Sequence, residues 1–176
     1  MSITRTEIKQ DVHMTYKDIT LDSQYNEMDS LRNLILARDK VMVDFKNSTK
    51  MTSNYLYMDM NKQEGYARNN VKIVSTLPQF KTINTSAEKA IIYLKDKKIR
   101  LNGNVVTYQG KTMISSKEAT YDIRNRVLEN YGNIQITGEN SSREKRVDNI
   151  IIKIEGITST LSSTRTTASS LGIYVD

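Results

Sequence analysis

Residues 90–106 read Ala90-Ile-Ile-Tyr-Leu-Lys-Asp-Lys-Lys-Ile-Arg-Leu-Asn-Gly-Asn-Val-Val106, and residues 119–134 say nearly the same thing again: Ala119-Thr-Tyr-Asp-Ile-Arg-Asn-Arg-Val-Leu-Glu-Asn-Tyr-Gly-Asn-Ile134. Ala90 recurs as Ala119, Ile92 as Tyr121, Leu94 as Ile123, Ile99 as Leu128, Gly103 as Gly132 and Asn104 as Asn133, each pair 29 positions apart. A fixed step of this size marks a stacked repeat. The stretch predicts a strand, a charged turn at Lys95-Asp96-Lys97, a second strand, a Gly-Asn corner and a third strand ending near Tyr108.

The repeat extends outward in both directions. Asn70-Val71-Lys72-Ile73 stands where Asn104-Val105 does, 34 positions earlier, and Leu56, Met58 and Met60 stand where Ala90, Ile92 and Leu94 do. The five extra residues fall between Val71 and Ala90, where Leu77-Pro78-Gln79 predicts a longer loop, because proline cannot donate to a strand ladder. Asp39-Lys40-Val41 lies 30 positions before Asn69-Asn70-Val71, and Asp11-Val12 lies 29 before Lys40-Val41. Tyr25 and Met28 match Tyr55 and Met58. The chain therefore starts inside a repeat, with residues 8–16 as the tail of a unit.

Within each unit the apolar residues alternate. Val41, Val43 and Phe45 share one face, Val71 and Ile73 another opposite Lys72, and Ile134 and Ile136 another opposite Gln135. Period two means strands with one buried face. Polar breakers at Asn47-Ser48-Thr49, Gln109-Gly110-Lys111 and Arg124-Asn125-Arg126 fit turns between them. Helical spacing can be argued only for Met28–Ala37, and the match of that stretch to Met58–Ala67 opposes it. Val147–Ile154 adds a β-rich run after a polar tip at Gly138–Arg146. A Ser/Thr-rich tail follows, with a possible last strand at Leu171–Val175. The expected architecture is all-β, an elongated antiparallel array of two or three short strands per unit over four to five repeats of 29–34 residues. It occupies residues 1–157, with 158–176 as a tail.

The 176 residues carry a formal charge of +6 and include no Cys, no Trp and one Pro. Absent Cys excludes disulfides, thiolate metal sites and Cys nucleophiles. The positive balance favours anionic partners such as nucleic acid, anionic lipid or phosphorylated glycan, or simply a solvated surface. No run of about 18 apolar residues predicts a spanning helix, and no apolar signal core follows Met1.

The phrase Ala90-x-x-Tyr93-Leu94-Lys-Asp-Lys-Lys-Ile99-x-Leu101-x-Gly103-Asn104-Val105 continues as Gln109-Gly-Lys-x-x-Ile114-x-Ser-x-x-Ala119-x-Tyr121-Asp122-x-x-Asn125. Together with Gly132 and Asn133, it resembles the OstA-like lipopolysaccharide-transport family. That family includes LptA, the periplasmic domain of LptC and the N-terminal domain of LptD. The likeness runs from about Val12 to Thr137. It implies a twisted β-jellyroll, or β-taco, whose two sheets stay unsealed along one side. It further implies an inner surface that takes lipid acyl chains while sugar and phosphate stay outside, and a periplasmic setting. The membrane helix of LptC members and the signal peptide of LptA members are missing here and are expected to have been removed.

On that reading the lipid-lining residues are Val41, Val43, Phe45, Met58, Met60, Val71, Ile73, Ile92, Leu94, Ile99, Val105, Tyr121, Ile123, Leu128, Ile134 and Ile136. The same residues would equally fill an ordinary sandwich core. Lys95, Lys97, Lys98, Arg100, Lys111, Arg124 and Arg126 can pair with lipid A phosphates at the rim or be solvated turn tips. Two open sheet ends predict end-to-end strand pairing with other Lpt jellyrolls, or a head-to-tail homo-oligomer. The competing reading is a structural β-repeat or adhesin-type protein with a dry core. Catalysis has little support. His13 is the lone His and aligns with Met42, an ordinary strand position, and no phosphate loop, metal-ligand cluster or nucleophile motif appears. No cofactor, metal or nucleic-acid partner is expected, since no nucleic-acid module is recognisable.

Overall fold

Alternating apolar residues fold each repeat into two long strands rather than three short ones. In the computed structural model, which describes residues 5–46, 49–76, 82–138, 145–153 and 173–175, these are β1 (Arg5–Tyr16), β2 (Ile19–Asp29), β3 (Leu34–Asp44), β4 (Thr49–Asp59), β5 (Glu64–Ser75), β6 (Ile83–Tyr93), β7 (Lys98–Gln109), β8 (Thr112–Asp122), β9 (Val127–Thr137), β10 (Lys145–Lys153) and β11 (Ile173–Val175). They form one antiparallel sheet of 11 strands in chain order. Met28–Ala37 is strand and turn, not helix. Residues 77–81, which hold the proline, the tip at 139–144 and most of 158–176 lie outside the described residues. Of the tail, β11 pairs Ile173 and Val175 with Ile152 and Ile150 of β10.

The Gly-Asn "corner" of the sequence reading is not a turn. It is a β-bulge in the middle of one continuous strand. Gln10-Asp11, Asp39-Lys40, Asn69-Asn70, Gly103-Asn104 and Gly132-Asn133 each hold two consecutive positive-φ residues. Gly, Asn and Asp dominate these pairs because they tolerate the left-handed region best. The pairing register slips across every pair along the sheet, for example between Arg38 and Val41 and between Asn102 and Val105. A bulge bends its strand, and five bulges in line make a spine about which the whole sheet folds.

Side chains at the spine fit this crease. On one side Ala37, Leu56, Ala67, Ala90, Leu101 and Ala119 are successive cross-strand partners, all fully or almost fully buried. On the other side, Ser23, Ser53 and Ser116 donate to the carbonyls of Tyr25, Tyr55 and Glu118 at 3.1, 3.1 and 3.0 Å. Each satisfies a backbone acceptor beside the irregular pairing, where a buried orphan would be costly.

The strand ends form two rims. Along one, Asp29, Asp59 and Asp122 start the turns and accept backbone N–H groups from Leu31 and Arg32, from Asn61 and Lys62, and from Asn125, the Asx arrangement that short turns favour. Consecutive turns then bond to each other: Met60 N–H to Asn33, Leu94 N–H to Gln63 and Ile123 N–H to Lys97, each to the backbone carbonyl at 2.9 Å. The sequence reading put Met60, Leu94 and Ile123 on strands. They lie in these turns instead, tucked inward.

Candidate functional site

A flat sheet would keep the turn after β1 and the turn after β6 on opposite edges, about 35 Å apart along strands of this length. Instead Lys97, in the β6–β7 turn, donates to Asp18, in the β1–β2 turn. Farther along, the Tyr121 hydroxyl at the end of β8 meets Thr49 of β4 and Ser75 of β5 at 3.1 and 2.8 Å, and Thr49 and Ser75 lie 3.0 Å apart. The two rims therefore touch, offset by several strands, and enclose an apolar interior.

Fifteen of the sixteen candidate lining residues are buried in that interior, and Met60 packs against them partly exposed. The interior is not uniform. Around Ile92, Ile99, Leu101, Leu128 and Ile134 exposure is 0–1 %, and side chains fill the space. Tyr121 there acts as a strut across the seam. Burial pushes its phenol up, and the hydrogen bonds from Ser75 and Thr49 pull it partly back.

Open space lies at the β1 end. A cavity of about 320 Å³ is lined by Met14, Thr15, Tyr16, Ile19, Leu21, Met28, Asn33, Ile35, Val43, Leu56, Met58, Met60 and Leu94. Met28 and Tyr16 remain 39 % and 38 % exposed at its mouth. Four methionines give it a deformable, polarisable wall. Of the sequence candidates, Val43, Met58, Met60 and Leu94 meet here. The remaining candidates line no part of this cavity. Met14, Tyr16, Ile19, Leu21, Met28, Ile35 and Leu56 were not among the lining residues named from the sequence. The repeat offered the signal: Ile35 is the counterpart of Ile99 and Leu128, 64 and 93 positions on, and Met28 of Met58. Between them Gly65 occupies the same place, and Met58 lies against it, its sulfur 2.5 Å from where a Cβ would sit.

The charged rim residues divide. Lys97 pairs with Asp18, and Arg100 with Glu118 at 2.8 Å. Lys95, Lys98 and Arg124 are exposed. His13 sits on the outer surface, 2.6 Å from Asp22. Among the described residues no cluster of His, Asp or Glu is arranged to hold a metal, and no helix is long and apolar enough to cross a membrane.

A sheet folded along a line of bulges, with an apolar interior and a cavity at its β1 end, defines a β-jellyroll. Residues 19–127 match the family described as "LptA/(LptD N-terminal domain) LPS transport protein", and the chain belongs to that family of lipopolysaccharide-transport proteins. A search of curated proteins finds no match. Among solved structures, the fold is similar to LptH of Pseudomonas aeruginosa, described as the LptA-homologous periplasmic component of the lipopolysaccharide transport device. The TM-score is 0.57 at 16 % identity, over 73 % of this chain and 93 % of that one.

Proposed function

We propose that this chain works in the periplasm as a bridge for lipopolysaccharide, holding lipid A acyl chains in its interior. The observation that carries this reading is the methionine-walled cavity, which stays open to solvent at Met28 and Tyr16. Its volume is at the lower end of the range of ligand pockets, about 300–1,000 Å³. Each methylene moved from water into such a wall is worth about 0.8 kcal/mol, so even a partly inserted acyl chain would be held. The sixteen inward residues named from the sequence would line the path, with Met14, Tyr16, Ile19, Leu21, Met28, Ile35 and Leu56 added where the cavity lies. Longer chains require the rims to part at the Asp18–Lys97 and Tyr121 contacts.

Bridging would come from strand addition at β1, whose outer edge carries no neighbour among the described residues. Another jellyroll of the transport system, or a second copy of this chain, would dock there. A dry structural repeat is the weaker reading, because a sealed core has no use for a half-exposed Met28 and Tyr16 at an open cavity.

Photo-crosslinkers placed at Met28 and Leu94 test the lipid path, with Lys62, on an exposed turn, as control. Capture of lipopolysaccharide at the first two and not at Lys62 is expected. Equal capture at all three, or none, would sink the reading.

A further inference from the structure

A second cleft, of about 240 Å³, is lined by Asp18, Phe45, Lys46, Lys97, Ile123 and Arg124. Three cations face one carboxylate. Phe45 and Ile123 are buried, so one wall excludes water and strengthens charge interactions nearby. Asp18 is bound to Lys97; that hydrogen bond, with Lys46 adding to it, holds the Asp18 carboxyl below its ordinary range.

The position of this pair matters more than its strength. The turns it joins supply Asp18 and Lys97 to the basic cleft, and Ile19 and Leu94 to the methionine-walled cavity. The two cavities therefore share these turns as a common wall, and the ion pair ties that wall shut across the rims.

We propose that the basic cleft is a phosphate-ester subsite, and that Asp18 is the internal counterion a phosphate group displaces from Lys97. A phosphate monoester carries about −1.5 to −2 charge and three acceptor oxygens. A carboxylate carries one charge and two oxygens. The phosphate can engage Lys46, Lys97 and the Arg124 fork together, whereas Asp18 makes its direct contact with Lys97 and feels Lys46 only at longer range. Its arrival breaks the tie between the rims and frees the wall of the apolar cavity. Its departure lets Asp18 return. Headgroup recognition would in this way open the path for the acyl chains. The proposal rests on the lipid-carrying reading for the source of the phosphate, and the cleft itself can be probed without lipid.

The test uses the full chain, wild type and K46Q/R124Q, K97Q and D18N variants, with melting curves confirming that each is folded. The probes are a diphosphorylated lipid A, the same lipid enzymatically dephosphorylated, and inorganic phosphate. Binding is read by displacement of a fluorescent acyl probe for the lipids, and by NMR shifts of the Lys and Arg side chains for inorganic phosphate. Wild type should prefer the phosphorylated lipid. K46Q/R124Q should reduce that preference about tenfold, and K97Q about three- to fivefold, at the size of partly exposed charge pairs. Removing the competitor in D18N should tighten binding of the phosphorylated lipid and speed uptake of the acyl probe. Equal wild-type affinity for the two lipids, or weaker phosphate-dependent binding in D18N, overturns the proposal while leaving the lipid path standing. If neither lipid binds but inorganic phosphate shifts Lys97 in wild type and not in K46Q/R124Q, the cleft stands and the lipid path falls. If nothing binds, both fall.

Discussion

At the scale of single residues, the repeated Gly, Asn and Asp positions turn out to be demands of the backbone rather than of any ligand. Gly103 sits at φ +81°, and a Cβ there would lie 2.5–3.0 Å from the Glu88 side chain. Gly103→Ala should therefore destabilise the fold by about 1–3 kcal/mol, since Ala is strained at positive φ, as measured by urea denaturation. Gly65→Ala is a useful contrast. Its backbone is unstrained; a Cβ there meets the flexible end of Met58 at 2.5 Å and Ile92 at 3.2–3.3 Å, so a loss without the backbone term, smaller than at Gly103, is expected. Tyr131 gives a pH signature. Burial, together with donation of its hydroxyl to Glu129, pushes its phenol from 10.0 up to about 12. A pKa raised on folding stabilises fully below the unfolded value and is lost as pH rises through the folded one. Wild type should lose stability between pH 10.0 and about 12. Tyr131→Phe should flatten that limb in melts run across the same range.

At the scale of elements, the strands were legible because their inward residues alternate, and their turns because polar breakers end each run. What misled the reading was the bulge. In β7 the inward set runs Ile99, Leu101, Val105, Thr107, keeping phase across Gly103-Asn104. In β2, β4, β6 and β8 it does not: β4 buries Thr49, Met51 and Ser53, then Leu56 and Met58. A one-residue phase slip reads as broken alternation in sequence, so Met51 escaped notice although it is fully buried, and Leu56 was placed in the repeat without being named as lining. The rim contact makes a prediction at this scale. Tyr121→Phe removes the hydroxyl that bridges β8 to β4 and β5, while Thr49 and Ser75 still bond to each other. A loss of about 1–2 kcal/mol is expected, with hydrogen exchange rising first at the ends of β4, β5 and β8. Unchanged exchange at those ends would mean the seam is held by packing alone.

At the scale of the whole molecule, an 11-stranded sheet with a long strand at its first edge invites another chain to add to it. Ile8, on β1, is 47 % exposed, an apolar residue on an unpaired edge. Ile8→Lys should shift any self-association toward monomer across a concentration series followed by light scattering, because a charge on an edge strand opposes addition. Identical masses for wild type and variant at every concentration would remove β1 from the proposed docking route.

The sequence by itself determined the β class, the step of the repeat and most of the side chains that face inward, and it marked the Gly-Asn and Asp-Lys positions without showing that they are bulges inside continuous strands. Each of these depends on neighbours within one strand or one hairpin, and Gly-Asn, Asp-Lys and alternating apolar residues encode such relations directly. Only the tertiary structure decided which turns meet across the fold, that Asp18 finds Lys97, that Tyr121 finds Thr49 and Ser75, and that the interior opens at Met14, Met28 and Met60 while closing around Ile99 and Leu128. Those outcomes follow from the bend and twist accumulated over several strands, a sum of small local rotations that no single repeat records.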